Sequence, residues 1–577
     1  MRIRLMVYFK KGNNSNLSKY LLPVIILWTV IGCLIPNICL SVTEGMSVIQ
    51  RITNIVLSAG IYWLLMSLTR NTGKAGLWMV ILDFFAAFQV VLIYIYGRSV
   101  LAVDMLLNVV TTNYGEASEL LRSMLPAIMI VLAVYLPPLI LSGVAVSKGL
   151  RLSKKALGFN RLGSLVAICI GLICYMASFF SARPFHPVTD IYPLNVGYNI
   201  CLAIERTVLT SQFKENTASY TFGSVPTHPE GLSELYVIVI GETSRAENWQ
   251  LAGYDRHTNM PLASDSALVF FKRAISQSNT THKSVPMLLS PVDASTFNDS
   301  IYSTRGILSA FREAGFSTAF ISNQRRNHSF IDFMGEEADT VMFLKDNLNT
   351  ADAEAHFDEM TLEPLAAILQ SNPKKQLVVI HSYGSHFSYD DRYPESAAMY
   401  LPDSPLKVDR SCKKELVNAY DNSIAYTSDF LAGIINLLKT RTGISALMYT
   451  SDHGEDLFDD DRDLFLHASP VPSYYQLHVP FLVWTSEGYD DALPGRITAL
   501  RQNREKPVAT SVSFFHTALD IAGIRWAGHD TKRSVASFDY TPAGMFYLTD
   551  HNEAVPLKDC GLKEHDFDRF NQLGVEL

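Results

Sequence analysis

Residues 444–455 read ISALMYTSDHGE, and the fold can be worked out from this stretch. Its apolar run, 444–450, predicts a buried strand, so Asp452 and His453 would project from the strand's carboxyl end, where open α/β sheets place their chemistry. An adjacent carboxylate and imidazole there suggest a metal site. A loop aspartate that caps the next helix beside a solvated histidine explains the stretch equally well. Other parts of the chain must therefore decide.

Short apolar runs alternate with helical patterns from residue 234 to residue 577. The runs that predict strands are 235–240, 317–321, 376–380, 445–450 and 479–484, and patterns such as 303–313 and 415–438 predict helices. Strands that alternate with helices indicate a mostly parallel sheet covered on both faces. We therefore expect an α/β domain over 234–577.

Glu242 directly follows the segment 235–241, LYVIVIG, whose apolar run predicts a strand. Alone, it would more often be an acid at the start of a helix. Together with Asp452 and His453 it gives two carboxylates and one imidazole, a mixed oxygen and nitrogen set that suits zinc and leaves one position open, as catalytic zinc sites require.

A hydroxyl-rich turn, Asn279-Thr280-Thr281-His282, leads into the apolar residues 287–289. A threonine would therefore begin a helix, where backbone N–H groups favour a phosphate and a bound metal would lower the pKa of the hydroxyl. An ordinary N-cap threonine is the alternative.

Further histidines also follow the predicted strands. His381 and His386 belong to the segment HSYGSH after 376–380, and His467 lies beyond His453. A lone histidine is more often an ordinary surface or core residue. Three histidine motifs and two acids near strand ends favour an active site.

The amino-terminal part has the composition of a membrane domain. Five apolar runs are close to membrane-spanning length, at 21–40, 52–69, 75–96, 123–146 and 162–180. Twelve Lys and Arg residues fall in the tail and in the second and fourth loops, against three in the other two loops. This bias predicts a five-helix domain over 1–182 with its tail inside and the large domain outside, which is the periplasm in a bacterium. The length of the first run, the lack of a cleavage site and the four runs that follow disfavour a cleaved signal peptide.

Two connecting segments complete the predicted organisation. Asn108, Thr112 and Glu116 recur every four residues, which predicts one polar face on an interfacial helix near 104–121. That face would meet a lipid headgroup or the catalytic domain, or simply water. Residues 183–233 are predicted to be a periplasmic linker with one helix. The net charge of −8 argues against nucleic acid as a partner.

Taken together, these motifs resemble the bacterial inner-membrane phosphoethanolamine transferases of the alkaline phosphatase/sulfatase-like superfamily. The matching stretches are VIGETSR at 239–245, Thr281 with SVP at 284–286, HSYGSH at 381–386, SDHGE at 451–455, and Leu466-His467 followed by VPFLVW at 479–484.

The resemblance implies roles for individual residues. It implies that Glu242, Thr281, Asp452 and His453 bind one zinc ion tightly, with Thr281 as the nucleophile, and that His386 and His467 act in catalysis, near the phosphoryl group, the acceptor or a weaker second zinc. The implied substrate-binding residues are Asn108, Thr112, Glu116, His328 and His381.

The resemblance further implies that phosphatidylethanolamine is the donor and that phosphoethanolamine passes through Thr281 to an acceptor in the envelope. Members that modify lipid A usually have a cysteine and a glycine before the nucleophile, where this chain has 277–280, QSNT. The acceptor therefore stays open among the lipopolysaccharide core, Kdo, lipid A and periplasmic glucan. The alternatives are a phosphoglycerol transferase, another hydrolase of the superfamily, or a polytopic sensor or transporter with an inert outer domain.

Overall fold

The computed structural model describes residues 14–43, 46–96, 102–111, 125–180, 185–228, 231–349, 352, 356–371, 374–469 and 471–577. The chain divides into two units. The first comprises Met1–Ala102 and Met124–Leu202, and the second comprises Val103–Ser123 and Ala203–Leu577. The segment around the predicted interfacial helix thus groups with the second unit, whereas the domain boundaries predicted at 182 and 233 stay predictions.

The first unit is helical. Its helices are Asn14–Thr43, Val48–Met66, Thr72–Trp78, Val80–Tyr96, Leu125–Ser147, Lys154–Ser178, Pro187–Asp190 and the first part of Leu194–Ser211. Several starts carry local signals, such as Ser47, which forms a capping box with Gln50, and Ser153, whose hydroxyl accepts a hydrogen bond from the Ala156 N–H.

Four stretches in this unit are long and apolar enough to cross a membrane, namely Leu17–Val42, Val48–Met66, Ala127–Ser147 and Lys154–Ser178. The helices Thr72–Trp78 and Val80–Val91 meet at a bend of 48° and make a fifth if the bent pair is one span. The described part of the chain therefore contains about four apolar helices, and the count of five stays a prediction.

The second unit is built on a seven-stranded sheet. Its strands lie in the spatial order Leu268–Phe271, Phe481–Thr485, Ile444–Ser451, Glu234–Gly241, Lys375–His381, Ser317–Ser322 and Thr340–Phe343. The last five are mutually parallel, and Phe481–Thr485 runs antiparallel to both of its neighbours. The predicted mostly parallel α/β sheet is therefore confirmed.

The central strands Glu234–Gly241 and Ile444–Ser451 are buried along their whole length, which explains their uninterrupted apolar sequences. Tyr236, Ile238 and Ile240 belong to a large core that includes Phe514 and Phe515 of a covering helix. The helices of this unit, besides the end of Leu194–Ser211 and several single turns, are Val103–Thr111, Thr281–Leu289, Ile307–Glu313, Phe330–Gly335, Leu362–Gln370, Lys413–Lys439, Arg496–Asn503, Thr510–Ile521 and Glu564–Leu573.

Short two-stranded ladders complete the second unit. Asp456–Leu457 pairs with Phe465–Leu466, Ala274–Ile275 with Val508–Ala509, Val225–Pro226 with Ile524–Arg525, and Phe546–Leu548 with Ala554–Pro556. The first ladder makes the chain reverse after the ISALMYTSDHGE stretch and returns it to the sheet edge at His467.

Candidate metal centre and active site

Parallel register brings three strand ends to the same edge of the sheet. Ile240 pairs with Thr450 on one side and with His381 on the other, and Gly241 pairs with Ser451. The residues that follow these pairs are Glu242 and Asp452, which therefore emerge side by side although they are far apart in the sequence. This is the arrangement expected for chemistry at the carboxyl edge of an α/β sheet.

Glu242, Asp452 and His453 form a compact, buried group of possible metal ligands. One ligand atom from each lies within 4.8 Å of the others. His453 Nε2 is 3.2 Å from Asp452 Oδ2 and 3.5 Å from Glu242 Oε1. The structure thus places together three residues that the sequence predicted as ligands, and their role as ligands stays a prediction.

The hydrogen bonds of His453 favour the tautomer that a metal ligand needs. Its Nδ1 lies 2.9 Å from the Gly454 carbonyl oxygen, which can only accept a hydrogen bond. Nδ1 therefore carries the proton, and the lone pair of Nε2 points towards the two carboxylates. Burial, together with His467, lowers the pKa of His453 to about 4, so the ring is neutral at pH 7.

Among the described residues, no charged donor neutralises the carboxylates of Glu242 and Asp452, and a cation fits this deficit. Asp452 Oδ1 accepts hydrogen bonds from the N–H groups of Thr243 and His453, at 3.0 and 2.7 Å. Asp452 Oδ2 is buried and has no hydrogen-bond donor among the described residues. Burial and Asp452 raise the pKa of Glu242 to about 8, and burial raises that of Asp452 to about 7. Two buried acids facing an imidazole lone pair have the chemistry of a metal site.

Thr281 stands beside this group as the first residue of the helix Thr281–Leu289, which we call the nucleophile helix. Its Oγ1 lies 3.2 and 3.3 Å from the two oxygens of Glu242 and 3.1 Å from His453 Nε2. The hydroxyl is half-buried and borders the ligand set. Thr280 is the N-cap residue and its side chain makes no capping hydrogen bond, so the N-cap alternative does not account for Thr281.

The backbone is strained next to these residues. Thr243 has φ 60°, and Leu466 and Ala468, on either side of His467, have φ 67° and 62°. A β-branched residue rarely adopts this conformation. Thr243 is held there because its N–H donates to Asp452 and its carbonyl accepts from the Tyr420 hydroxyl at 2.7 Å. Such strain clusters at functional sites, where it fixes side-chain directions.

Two of the predicted catalytic histidines line the same region. The rings of His453 and His467 are 4.1 Å apart between centroids, and those of His386 and His467 are 6.2 Å apart. His467 Nδ1 lies 3.3 Å from Glu455 Oε1. Burial, Arg392 and His467 lower the pKa of His386 to about 3, and burial with His282 lowers that of His467 to about 4. Both rings are therefore neutral near pH 7.

Gln324 belongs to the site but was absent from the predicted set. Its Nε2 donates to the Ser382 carbonyl at 2.9 Å, lies 3.3 Å from His381 Nε2 and reaches Glu242 Oε2 at 3.5 Å. His381 thus reaches the ligand group through Gln324. The available signal was position, because Gln324 follows the strand Ser317–Ser322, whose carboxyl end lies at the same edge.

The remaining predicted residues either do not touch the ligand group or lie outside the described residues. His328 lies in a cleft with His282 and Lys283, and its backbone N–H donates to Asp332. Asn108 lies in the helix Val103–Thr111, but its side chain is outside the described residues, as are Thr112 and Glu116 altogether. Their predicted contact with a lipid headgroup stays a prediction.

Comparison with known proteins identifies the family of the chain. The family model described as Sulfatase matches residues 234–524. The phosphoethanolamine transferase EptA of Escherichia coli K12 is 29% identical over 302 residues, 51% of this chain and 54% of that protein. The Kdo(2)-lipid A phosphoethanolamine 7''-transferase of the same strain is 28% identical over 268 residues, 45% of this chain and 46% of that protein. The chain spans about half the length of these curated relatives.

Two solved structures share the fold. The integral membrane lipooligosaccharide phosphoethanolamine transferase A of Neisseria meningitidis matches with a TM-score of 0.70 at 22% identity, covering 89% of this chain and 98% of that one. The carboxyl-terminal periplasmic domain of EptC from Escherichia coli, solved in complex with Zn, matches with a TM-score of 0.54 at 23% identity, covering 61% and 98%.

Proposed function

The chain belongs to the sulfatase family, and on that premise we propose that it transfers phosphoethanolamine from phosphatidylethanolamine to a glycan or glycolipid of the bacterial cell envelope. One observation carries the proposal. The hydroxyl of Thr281, at the start of a helix, lies within 3.3 Å of two residues of a buried ligand group. That arrangement suits a nucleophile for phosphoryl transfer, because helix N–H groups favour the phosphate where the hydroxyl attacks.

Glu242, Asp452, His453 and Thr281 would hold a zinc ion, which supplies a Lewis acid that favours the alkoxide and neutralises charge on the phosphoryl oxygens. Thr281 Oγ1 attacks the phosphorus of the donor, and the bond from phosphorus to the glycerol oxygen breaks. Diacylglycerol leaves with the hydroxyl proton, and phosphoethanolamine stays on Thr281. An acceptor hydroxyl or phosphate oxygen then attacks the phosphorus, the bond from phosphorus to Thr281 Oγ1 breaks, and the proton that the acceptor loses returns to Thr281 Oγ1.

His386 and His467 are suited to the second step. Both rings are neutral at pH 7. Their low pKa values make them weak bases, but the acceptor hydroxyl becomes acidic as its bond to phosphorus forms, so either ring can take its proton at that stage. Glu455 lies 3.3 Å from His467 Nδ1 and orients that ring. We assign both histidines to proton transfer with the acceptor and not to the activation of Thr281, which lies 3.1 Å from His453.

The proposal extends to location and partners. The apolar helices of the first unit and the distribution of Lys and Arg support an inner-membrane protein whose catalytic unit faces the periplasm. The donor is a membrane lipid, so its scissile bond lies at the bilayer surface. The acceptor belongs to the lipopolysaccharide core, Kdo, lipid A or periplasmic glucan.

The test is mass spectrometry of lipopolysaccharide and glucans from cells with the chain, without it, and with Thr281→Ala. We expect an added phosphoethanolamine in the first case alone, and a phosphoethanolamine adduct on Thr281 in purified wild-type protein given donor without acceptor. Full transfer by Thr281→Ala with zinc still bound would refute the covalent scheme. Transfer of label from phosphatidylglycerol in place of phosphatidylethanolamine would refute the assigned donor.

A further inference from the structure

A buried cluster of charges lies two residues beyond Thr281. Lys283 Nζ is 2.6 Å from Asp104 Oδ2 and donates to the Thr549 carbonyl at 2.8 Å. His282 Nε2 lies 3.1 Å from Asp104 Oδ1, and Arg206 Nη1 lies 3.5 Å from the same oxygen. The cluster therefore joins the nucleophile helix to the helix Val103–Thr111, which we call the short helix.

Asp550 holds the start of the short helix. Its Oδ2 accepts a hydrogen bond from the Val103 N–H at 2.9 Å, and its Oδ1 accepts from the Asp104 N–H at 2.8 Å. Arg206 donates to the carbonyl of Asp550 at 2.8 Å. The short helix thus receives its N-terminal cap from a residue 447 positions away in the sequence.

A buried charge cluster of this kind fixes the positions of the groups around it more than it stabilises the fold. Lys and Asp are almost never fully buried unless they are paired, and apolar residues of similar volume are often at least as stabilising. Burial alone would raise the pKa of Asp104, but Lys283 and His282 outweigh it and hold that pKa well below its usual range. The carboxylate is therefore charged, and the direction of each donor around it is fixed.

The cluster also shapes a cleft beside the nucleophile. The cleft has a volume of about 180 Å³ and is lined mainly by apolar surface. The short helix contributes Leu107, the cluster contributes Arg206, His282 and Lys283, and Tyr302 and Phe330 lie among the other lining residues. A mainly apolar lining suits the glycerol backbone and the start of the acyl chains better than it suits a charged headgroup.

We propose that Asp104, Lys283 and Asp550 form a latch that fixes the short helix against the nucleophile helix and so positions the glycerol end of the lipid donor in this cleft. The inference rests on the proposed function and deepens it. The latch residues are positioning residues, since they hold Leu107 and His282 as cleft walls and do not touch the reacting atoms. The latch therefore affects the binding of a donor whose leaving group is diacylglycerol. It has little effect on a donor without a glycerol end to place in the cleft.

The test compares two donors with the full chain in detergent. One is phosphatidylethanolamine in mixed micelles, and the other is the 4-nitrophenyl ester of phosphoethanolamine, which has the same headgroup and a soluble leaving group. For Lys283→Met and Asp104→Asn we expect KM for the lipid to rise at least tenfold with kcat nearly constant. The loss in kcat/KM should be at least tenfold larger for the lipid than for the ester. The double variant should be no worse than the worse single variant, because both changes break the same latch.

Two controls separate positioning from folding. Asp566→Asn removes a buried carboxylate that pairs with Arg462 at 2.6 Å elsewhere in the same unit, and it should change both donors by the same factor. Hydrogen exchange of peptides covering 103–111 should rise in Lys283→Met, while peptides covering 234–241 keep their protection.

Equal losses for both donors in the latch variants, or no loss for either, would overturn the latch while wild-type transfer from the lipid still stands. Wild-type protein that releases nitrophenol but transfers nothing from the lipid would overturn the proposed function itself, and the latch with it.

Discussion

The charge deficit of the metal centre predicts that Asp452→Asn stabilises the metal-free protein. Asp452 Oδ2 has no donor among the described residues and faces the lone pair of His453 Nε2 at 3.2 Å. An asparagine keeps the oxygen that accepts from the Thr243 and His453 N–H groups. Its amide N–H₂ group then replaces the repelled oxygen and can donate to His453.

The magnitude follows from the pKa of Asp452, which burial raises from 3.8 to about 7. A raised carboxyl pKa means that the folded state binds the proton more tightly. The stability that this carboxyl contributes is therefore complete below pH 4 and is lost as the pH rises to 7. The loss is at most about 4 kcal/mol, at roughly 1.4 kcal/mol for each pH unit between the two values. The neutral asparagine has no such loss, so the advantage of the variant is absent at pH 4 and reaches about 2–4 kcal/mol at pH 8.

Hydrogen exchange of the strands Glu234–Gly241 and Ile444–Ser451, measured on the full chain with a chelator present, reports this difference. We expect exchange at pH 8 to be slower in Asp452→Asn by roughly one to three orders of magnitude. Added zinc should slow exchange in the wild type and leave the variant unchanged. Asp566→Asn is the matched control of opposite sign, because Asp566 is buried with Arg462 as a partner and its loss should speed exchange. A faster exchange in Asp452→Asn, like that expected of Asp566→Asn, would mean that the carboxylates of Asp452 and Glu242 do not repel each other. The charge deficit that a cation would fill would then be absent.

Three further predictions concern the surroundings of the metal centre. Gln324→Met, which removes the amide contact to Glu242, should weaken zinc binding about 10- to 100-fold in competition with a chelator, and unchanged affinity would mean that Gln324 does not orient Glu242. Gly384 has φ 52°, and in Gly384→Ala the new Cβ would lie 2.5 Å from the Glu242 carbonyl oxygen. Glu242 would have to move, so the variant should lose zinc. Gly223→Ala has a similar φ of 63° with open space around it and should cost only about 1–2 kcal/mol of stability, with zinc retained. Equal zinc retention in the two alanine variants would rule out the steric argument. Because burial lowers the pKa of His386 to about 3, transfer should show no titration of this ring between pH 5 and 8. A limb near pH 6 in the pH–rate profile of the wild type that disappears in His386→Asn would show that this ring does titrate there.

The sheet and most of the metal centre could be predicted because their signals are local. Each parallel strand is a continuous apolar run, and a polar residue after it must lie at the carboxyl edge, which is how the proximity of Glu242, Asp452 and His453 could be predicted. The edge strands Leu268–Phe271 and Thr340–Phe343 were missed, the latter because it is only half-buried and its pattern is weak. The run predicted at 479–484 is the antiparallel strand Phe481–Thr485, since apolar content alone carries no strand direction.

The contacts that could not be predicted join distant segments through single side chains. Asp104 was only one polar residue in a predicted interfacial helix, and Asp550 lies in a turn without a motif. In the sequence, Lys283 lies between Thr281 and the SVP segment and belongs to no motif. Their contact depends on how the nucleophile helix is oriented, which neither periodicity nor strand order specifies. Gln324 is intermediate, because its position after a strand was visible but its residue type gave no reason to select it.

The cap that Asp550 places on Val103 affects how this protein should be studied. A soluble fragment that begins near Thr217 keeps the metal centre, the nucleophile helix and Asp550, yet it lacks Asp104, Leu107 and Arg206. In such a fragment Lys283 loses its carboxylate partner, and the cleft loses part of its wall. Inhibitors selected against the fragment would meet an opened surface that the intact protein does not present. Screening for compounds that compete with the lipid therefore calls for the full chain in detergent or nanodiscs.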